Sequence, residues 1–75
     1  KLKENDLALD SYQRAISINS SDWMAHKGMG VTYILKAISE KDDQLKGRGL
    51  EHWKKSLNIK PDQPRLLALL KKYSD

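Results

Sequence analysis

Chemistry in this 75-residue chain would have to start from its two histidines, His26 and His52, because imidazole exchanges a proton near neutral pH and readily ligates transition metals. A metal centre needs a third and usually a fourth donor, and the chain has no cysteine to supply one. The same lack of cysteine removes disulfide bonds and thiol catalysis. Gly47-Arg48-Gly49 has the opening of a phosphate loop, yet it lacks a third glycine, a Lys-Ser or Lys-Thr at the motif's spacing, and a preceding strand pattern. Serine, histidine and aspartate occur without a spacing that a fold would draw together into a triad. The expectation is a non-catalytic chain with no cofactor and no metal.

Binding chemistry is better represented. Lys46, Arg48, Lys54, Lys55 and Lys60 surround Trp53, a mixture of cations and an aromatic ring that single-stranded nucleic acid binders also use. Leu66, Leu67, Leu69 and Leu70, with Lys71 and Lys72, have the make-up of a basic amphipathic helix that could lie on a membrane. Fourteen Lys and Arg against ten Asp and Glu leave a net charge of +4, a mild excess that favours acidic partners without demanding nucleic acid. The first group is expected to be a solvated charged face, and the second a packed closing helix behind the Pro64 turn. No apolar run reaches the roughly 18 residues of a membrane span. A chain of this size buries only about 60–65% of its unfolded surface, so packing alone leaves it marginally stable.

Helices must position these groups. In the densest helical pattern, residues 25–33, Met24, Gly28, Val31 and Leu35 step down one face while Met29, Tyr33 and Ala37 step down the next. That apolar surface is wider than a surface helix needs, so this helix, from Trp23 to Ser39 or Glu40, is expected to have neighbours on two sides. Gly28 and Gly30 would each weaken an isolated helix by roughly 1 kcal/mol relative to Ala, which implies close approach of another helix there. Upstream, Leu9, Tyr12 and Ile16 with Ala8, Ala15 and Ile18 predict a helix over residues 4–19, capped by Asn5 or Asp6. Ser21 or Asp22 is expected to cap the central helix, and an Asp of the Lys41-Asp42-Asp43 break to cap a third that ends near Lys60. Pro61 and Pro64 mark a stop and a new start, with Asp62 or Gln63 as cap of a short last helix.

The first helix recurs in the third. With a shift of 41 residues Leu9 falls on Leu50, Tyr12 on Trp53, Arg14 on Lys55, Ile16 on Leu57 and Ile18 on Ile59, while Ala8 meets Gly49 and Ala15 meets Ser56. Such an echo means a supersecondary unit stacked on itself. On these residues the chain resembles the tetratricopeptide repeat (TPR) family, whose unit of about 34 residues reads W-x2-L-G-x2-Y and then small, aromatic, small and Pro. Gly30 and Tyr33 match that Gly and Tyr, Met29 stands for the Leu, and His26 takes the place of the Trp. Gly49, Trp53, Ser56 and Pro61 take the later positions, and Ala8, Tyr12 and Ala15 repeat them in a preceding partial unit.

The resemblance implies an all-α fold of antiparallel helix-turn-helix repeats, a TPR-like right-handed solenoid fragment of about four helices. Residues 4–19 would be the second helix of a truncated repeat, 23–60 one full extended repeat, and 64–74 a following or capping helix. It also implies that His26 packs rather than ligates and that Trp53 is buried and unavailable for base stacking, while His52, beside Trp53, is expected at the surface. Seven more residues than the family's period separate the copies. Lengthening both helices by a turn, which shifts their faces by only about 20°, is favoured over a loop across residues 40–47. Truncation predicts an apolar outer side on the first helix and self-association of the 75-residue piece unless its partner repeat is supplied.

In function, the resemblance implies a protein–protein interaction scaffold with a concave groove lined by Met24, Lys27, Val31, Ile34 and Leu35 of the central helix and by Arg65, Ala68 and Lys72 of the last. This mixed apolar and basic set would grip an extended or helical segment carrying apolar anchors and at least one acidic group. The competing reading makes Val31, Ile34 and Leu35 plain core. Lys27 matches the first Lys of the family's carboxylate clamp, but Val31 and Leu69 stand where its Asn residues belong, so clamp function is not expected. A docking or regulatory segment of a larger enzyme and a basic nucleic-acid-binding module are the alternatives. A protein or peptide is the expected partner, nucleic acid is disfavoured, and the compartment is left open with the cytoplasm favoured.

Overall fold

In the computed structural model, which describes residues 2–74, the chain forms four helices: α1 (Leu2–Ile18), α2 (Trp23–Glu40), α3 (Asp43–Ile59) and α4 (Pro64–Tyr73). Among the described residues there is no strand. Each start has a local cause. Asp22 caps α2 by accepting the Ala25 amide hydrogen at 3.1 Å, and Asp42 caps α3 by accepting those of Gln44 and Leu45 at 2.9 and 3.4 Å. Pro64 opens α4, where a missing N–H does no harm. Asn5 and Asp6 do not cap α1, because that helix already runs from Leu2; Asp6 instead reaches Lys36 of α2 at 2.8 Å.

The residues between Tyr33 and Gly49 are helical apart from Lys41 and Asp42. α2 runs on to Glu40 and α3 begins at Asp43, so only Lys41 and Asp42 link them and no loop spans residues 40–47. The link is tight because Lys41 adopts a left-handed conformation (φ 53°, ψ 48°), sending its own N–H and that of Asp42 back to the Ala37 carbonyl.

Consecutive helices run antiparallel. Asp6 and Tyr12 of α1 meet Lys36 and Gly28 of α2, and Trp23, Lys27 and Gly30 of α2 meet Ser56, Trp53 and Gly49 of α3, one number rising as the other falls. The α2–α3 contact is the most extensive, and α4 is the most lightly held. Ile34, Trp53 and Leu66 are the buried centre, with Leu50, Leu57, Leu69, Leu70 and Tyr73 packed around them.

Polar groups latch α4 to this centre. Ser56, fully buried, donates its hydroxyl to the Trp23 carbonyl at 2.8 Å. Gln63 turns inward rather than capping α4: its Nε2 donates to the carbonyls of Ser56 and Lys60 at 3.1 and 2.8 Å and to Ser56 Oγ at 3.1 Å. The outer side of α1 departs from the expected apolar surface. Glu4, Asp10, Ser11, Gln13, Arg14 and Ser17 are exposed there, with Leu7 and Ile18 the apolar exceptions. A face built of charges and hydroxyls is already suited to water.

Candidate partner-binding groove

The caps and close contacts fix how α2 is turned about its axis. Gly28 faces Tyr12 of α1 and Gly30 faces Trp53 of α3, so the remaining side of α2 points outward. Met24, Val31, Leu35 and Ile38 lie on that side and are exposed, the least of them, Val31, by 37% and Met24 by 64%. Steps of seven, four and three residues keep them in one stripe. Contiguous exposed apolar side chains of this kind mark interaction surfaces, whereas single ones do not.

Hollows flank the stripe. On the α4 side Val31, Leu35 and Ile38 face Leu69 and Tyr73 over a floor of Ile34 and Trp53. Toward α1, Tyr12 walls a second hollow with Met24, Lys27 and Val31. At the N-terminal end of α2, Trp23 and Lys27 border a third, which Lys60, Arg65 and Asp62 close from the other side. Val31 is common to the first two hollows and Lys27 to the last two, so the three form one continuous surface. Its charge is uneven, with Lys27, Lys60 and Arg65 at one end against a single Asp62. Lys60 Nζ sits 4.2 Å from the Trp23 ring centroid, a cation–π contact that holds the ammonium at this rim.

Of the residues expected to line a groove, Met24, Lys27, Val31, Leu35 and Arg65 border this surface. Ile34 is 4% exposed and belongs to the core, as the floor of the hollow. Ala68 opens on a separate recess with Leu67, Leu70 and Lys71, and Lys72 extends over Tyr73, 5.5 Å from its ring centroid. The α4 side chains that border the stripe are Leu69 and Tyr73 instead. Ile38, Leu69, Tyr73 and Trp23 were missed from the sequence. Ile38 was findable, since it continues the seven-residue step from Met24 to Val31; Tyr73 was not, because its place depends on packing 6.0 Å from the Trp53 ring.

The histidines come together away from the groove. His26 is buried and His52 half-buried, so His52 is not the surface residue expected of it; their Nδ1 atoms are 3.1 Å apart, and His26 Nε2 is 3.1 Å from the Ser20 carbonyl. Tyr33 lies alongside His52 with ring centroids 5.7 Å apart. Burial, then His26 and Lys55, push the His52 imidazole below its ordinary value, with Glu51 opposing. Among the described residues no group of three or more His, Cys, Asp or Glu is placed to hold a metal. Trp53 is 1% exposed, so its ring is out of reach of a nucleic acid base. At the far end of α2 the hydrogen bond to Asp6 raises the Lys36 pKa, and Glu40 stands 3.8 Å away. No helix is long and apolar enough to cross a membrane among the described residues.

No family model matches this sequence, and no curated protein or solved structure matches it either.

Proposed function

We propose that the chain is a TPR-like protein-interaction scaffold that receives a partner segment on the outer face of α2, without catalysis. The observation that carries this reading is the continuous stripe Met24, Val31, Leu35 and Ile38, with a hollow on each side and cations at one end. Covering four such side chains removes apolar area from water at roughly 25 cal/mol per Å2, the usual source of affinity in helix-in-groove recognition. The partner carries apolar anchors spaced for the two hollows and an acidic group that reaches Lys27 and Arg65. Asn at both clamp positions is replaced by Val31 and Leu69, so the anchor is apolar and the acid is peripheral.

Selection from a displayed random-peptide library tests the reading. Enriched peptides should combine two or more large apolar residues with Asp or Glu, and Leu35→Asp should abolish their binding. Enrichment of nothing above background, or of peptides indifferent to Leu35→Asp and Val31→Asp, would contradict it.

A further inference from the structure

We infer that His26 and His52 form a proton-operated latch between α2 and α3, closed at neutral pH and opened by the second proton the pair takes up. The geometry starts from the Nδ1 to Nδ1 separation of 3.1 Å, which requires one hydrogen between the two nitrogens. His26 Nε2 faces the Ser20 carbonyl at 3.1 Å, and a carbonyl only accepts, so Nε2 carries the His26 proton. His26 Nδ1 is then an acceptor, and His52 donates its Nδ1–H to it. Ring centroids 5.3 Å apart with planes 24° from parallel are those of two imidazoles meeting edge to edge, as an in-plane N–H···N bond requires.

The proton count follows. One added proton goes to the outer nitrogen of His52 and leaves the shared bond intact. A second has only His26 Nδ1 to occupy, where it meets the His52 Nδ1–H head on, and the imidazoles must part. The charged groups acting on His52 are Lys55 and Glu51 of α3, with Lys55 the stronger; α2 sets the Tyr33 ring alongside His52, and the α1–α2 link offers His26 the Ser20 carbonyl. Burial also disfavours charge on His52, so the folded chain binds protons less readily than the unfolded one. The stability contributed by His52 is therefore fully present above about pH 6.5, the unfolded value, and is lost as pH falls below it toward the lowered folded value of His52. Because His26 also holds the Ser20 turn, opening the latch loosens the α1–α2 corner together with the α2–α3 contact.

Nitrogen-15 NMR of the imidazoles in the whole chain, combined with urea unfolding at about pH 8 and about pH 5.5, tests the latch. At the higher pH, His26 should be protonated on Nε2 and His52 on Nδ1, and the two should take up protons in separate steps. The folding equilibrium constant should fall roughly fivefold to tenfold at the lower pH, the loss of one buried hydrogen bond. His52→Gln, whose amide can donate to His26 Nδ1 and, turned over, accept from it once that nitrogen is protonated, should flatten that fall. Two rings that both carry the proton on Nε2 and titrate together near 6.5, or a fall of equal size in His52→Gln, would overturn the proposal.

Discussion

Trp53 occupies the space in which a side chain at Gly30 would begin. A Cβ there would overlap Cδ1 and Nε1 of the indole and come 2.9 Å from the Gly49 carbonyl oxygen. The ring cannot retreat, since it is 1% exposed and its Nε1–H donates to the Lys27 carbonyl at 3.2 Å. Tyr12 stands over Gly28 from the α1 side in the same way. α2 is held between two aromatic rings, and its outward stripe is the side that they leave uncovered.

Three of the four helical glycines, Gly28, Gly30 and Gly47, should therefore respond differently to alanine. Gly30→Ala should destabilise by about 2–3 kcal/mol, because neither the buried indole nor the Gly49 backbone can give way. Gly28→Ala meets only the outer end of the half-buried Tyr12 ring, which can swing, and should lose about 1 kcal/mol. Gly47→Ala meets nothing within 4 Å and should gain about 1 kcal/mol from helix propensity alone. Urea unfolding ranks them, and equal losses at positions 28 and 30 would mean that Trp53 is not seated as described.

Lys41→Gly should stabilise the chain by about 1 kcal/mol, since Lys41 is the one described non-glycine residue with positive φ and a side chain in that conformation is strained. Thermal unfolding should show a higher midpoint. A lower one would indicate that the α2–α3 corner is built differently.

Gln63→Ala should free α4 before it affects the rest. Three acceptors, the carbonyls of Ser56 and Lys60 and Ser56 Oγ, lose their donor together, for a loss of about 1–3 kcal/mol. Amide hydrogen exchange should accelerate in residues 66–73 while α2 and α3 keep their protection. Uniform acceleration along the chain would show that α4 is an integral part of the core instead.

Much of this architecture could be read from residue types. The caps were narrowed to Ser21 or Asp22 and to Asp42 or Asp43, of which Asp22 and Asp42 serve, and the echo of Tyr12 in Trp53 announced two aromatic residues that the structure sets against the glycines of one helix. What failed was long-range. His52 pairs with His26 only because the α2–α3 register brings them together, and nothing near His52 in the sequence marks it. Gln63 sits at a cap position, yet its amide finds three acceptors inside, which local cap rules do not anticipate. The α4 side of the groove was misassigned for a similar reason. A helix ten residues long with Leu66 inward turns Leu69 and Tyr73, rather than Ala68 and Lys72, toward the stripe.

Charge placed in the stripe should leave the fold intact. Val31→Asp and Leu35→Asp put a carboxylate at positions already open to water, and each should change stability by no more than about 0.5 kcal/mol. Ile34→Asp, one residue away but buried, should unfold the chain. Circular dichroism during urea titration separates these outcomes, and unfolding by Leu35→Asp would place that side chain in the core.

The most direct measurement is amide chemical-shift mapping of the nitrogen-15-labelled chain with a library-selected acidic, apolar peptide. Perturbations should gather at Met24, Lys27, Val31, Leu35 and Ile38 of α2 and at Leu69 and Tyr73 of α4, leaving the outer side of α1 silent. Perturbations centred instead on Arg48, Lys54 and Lys55 of α3, and weakening steeply with salt, would contradict a groove on α2 and point to plain charge attraction.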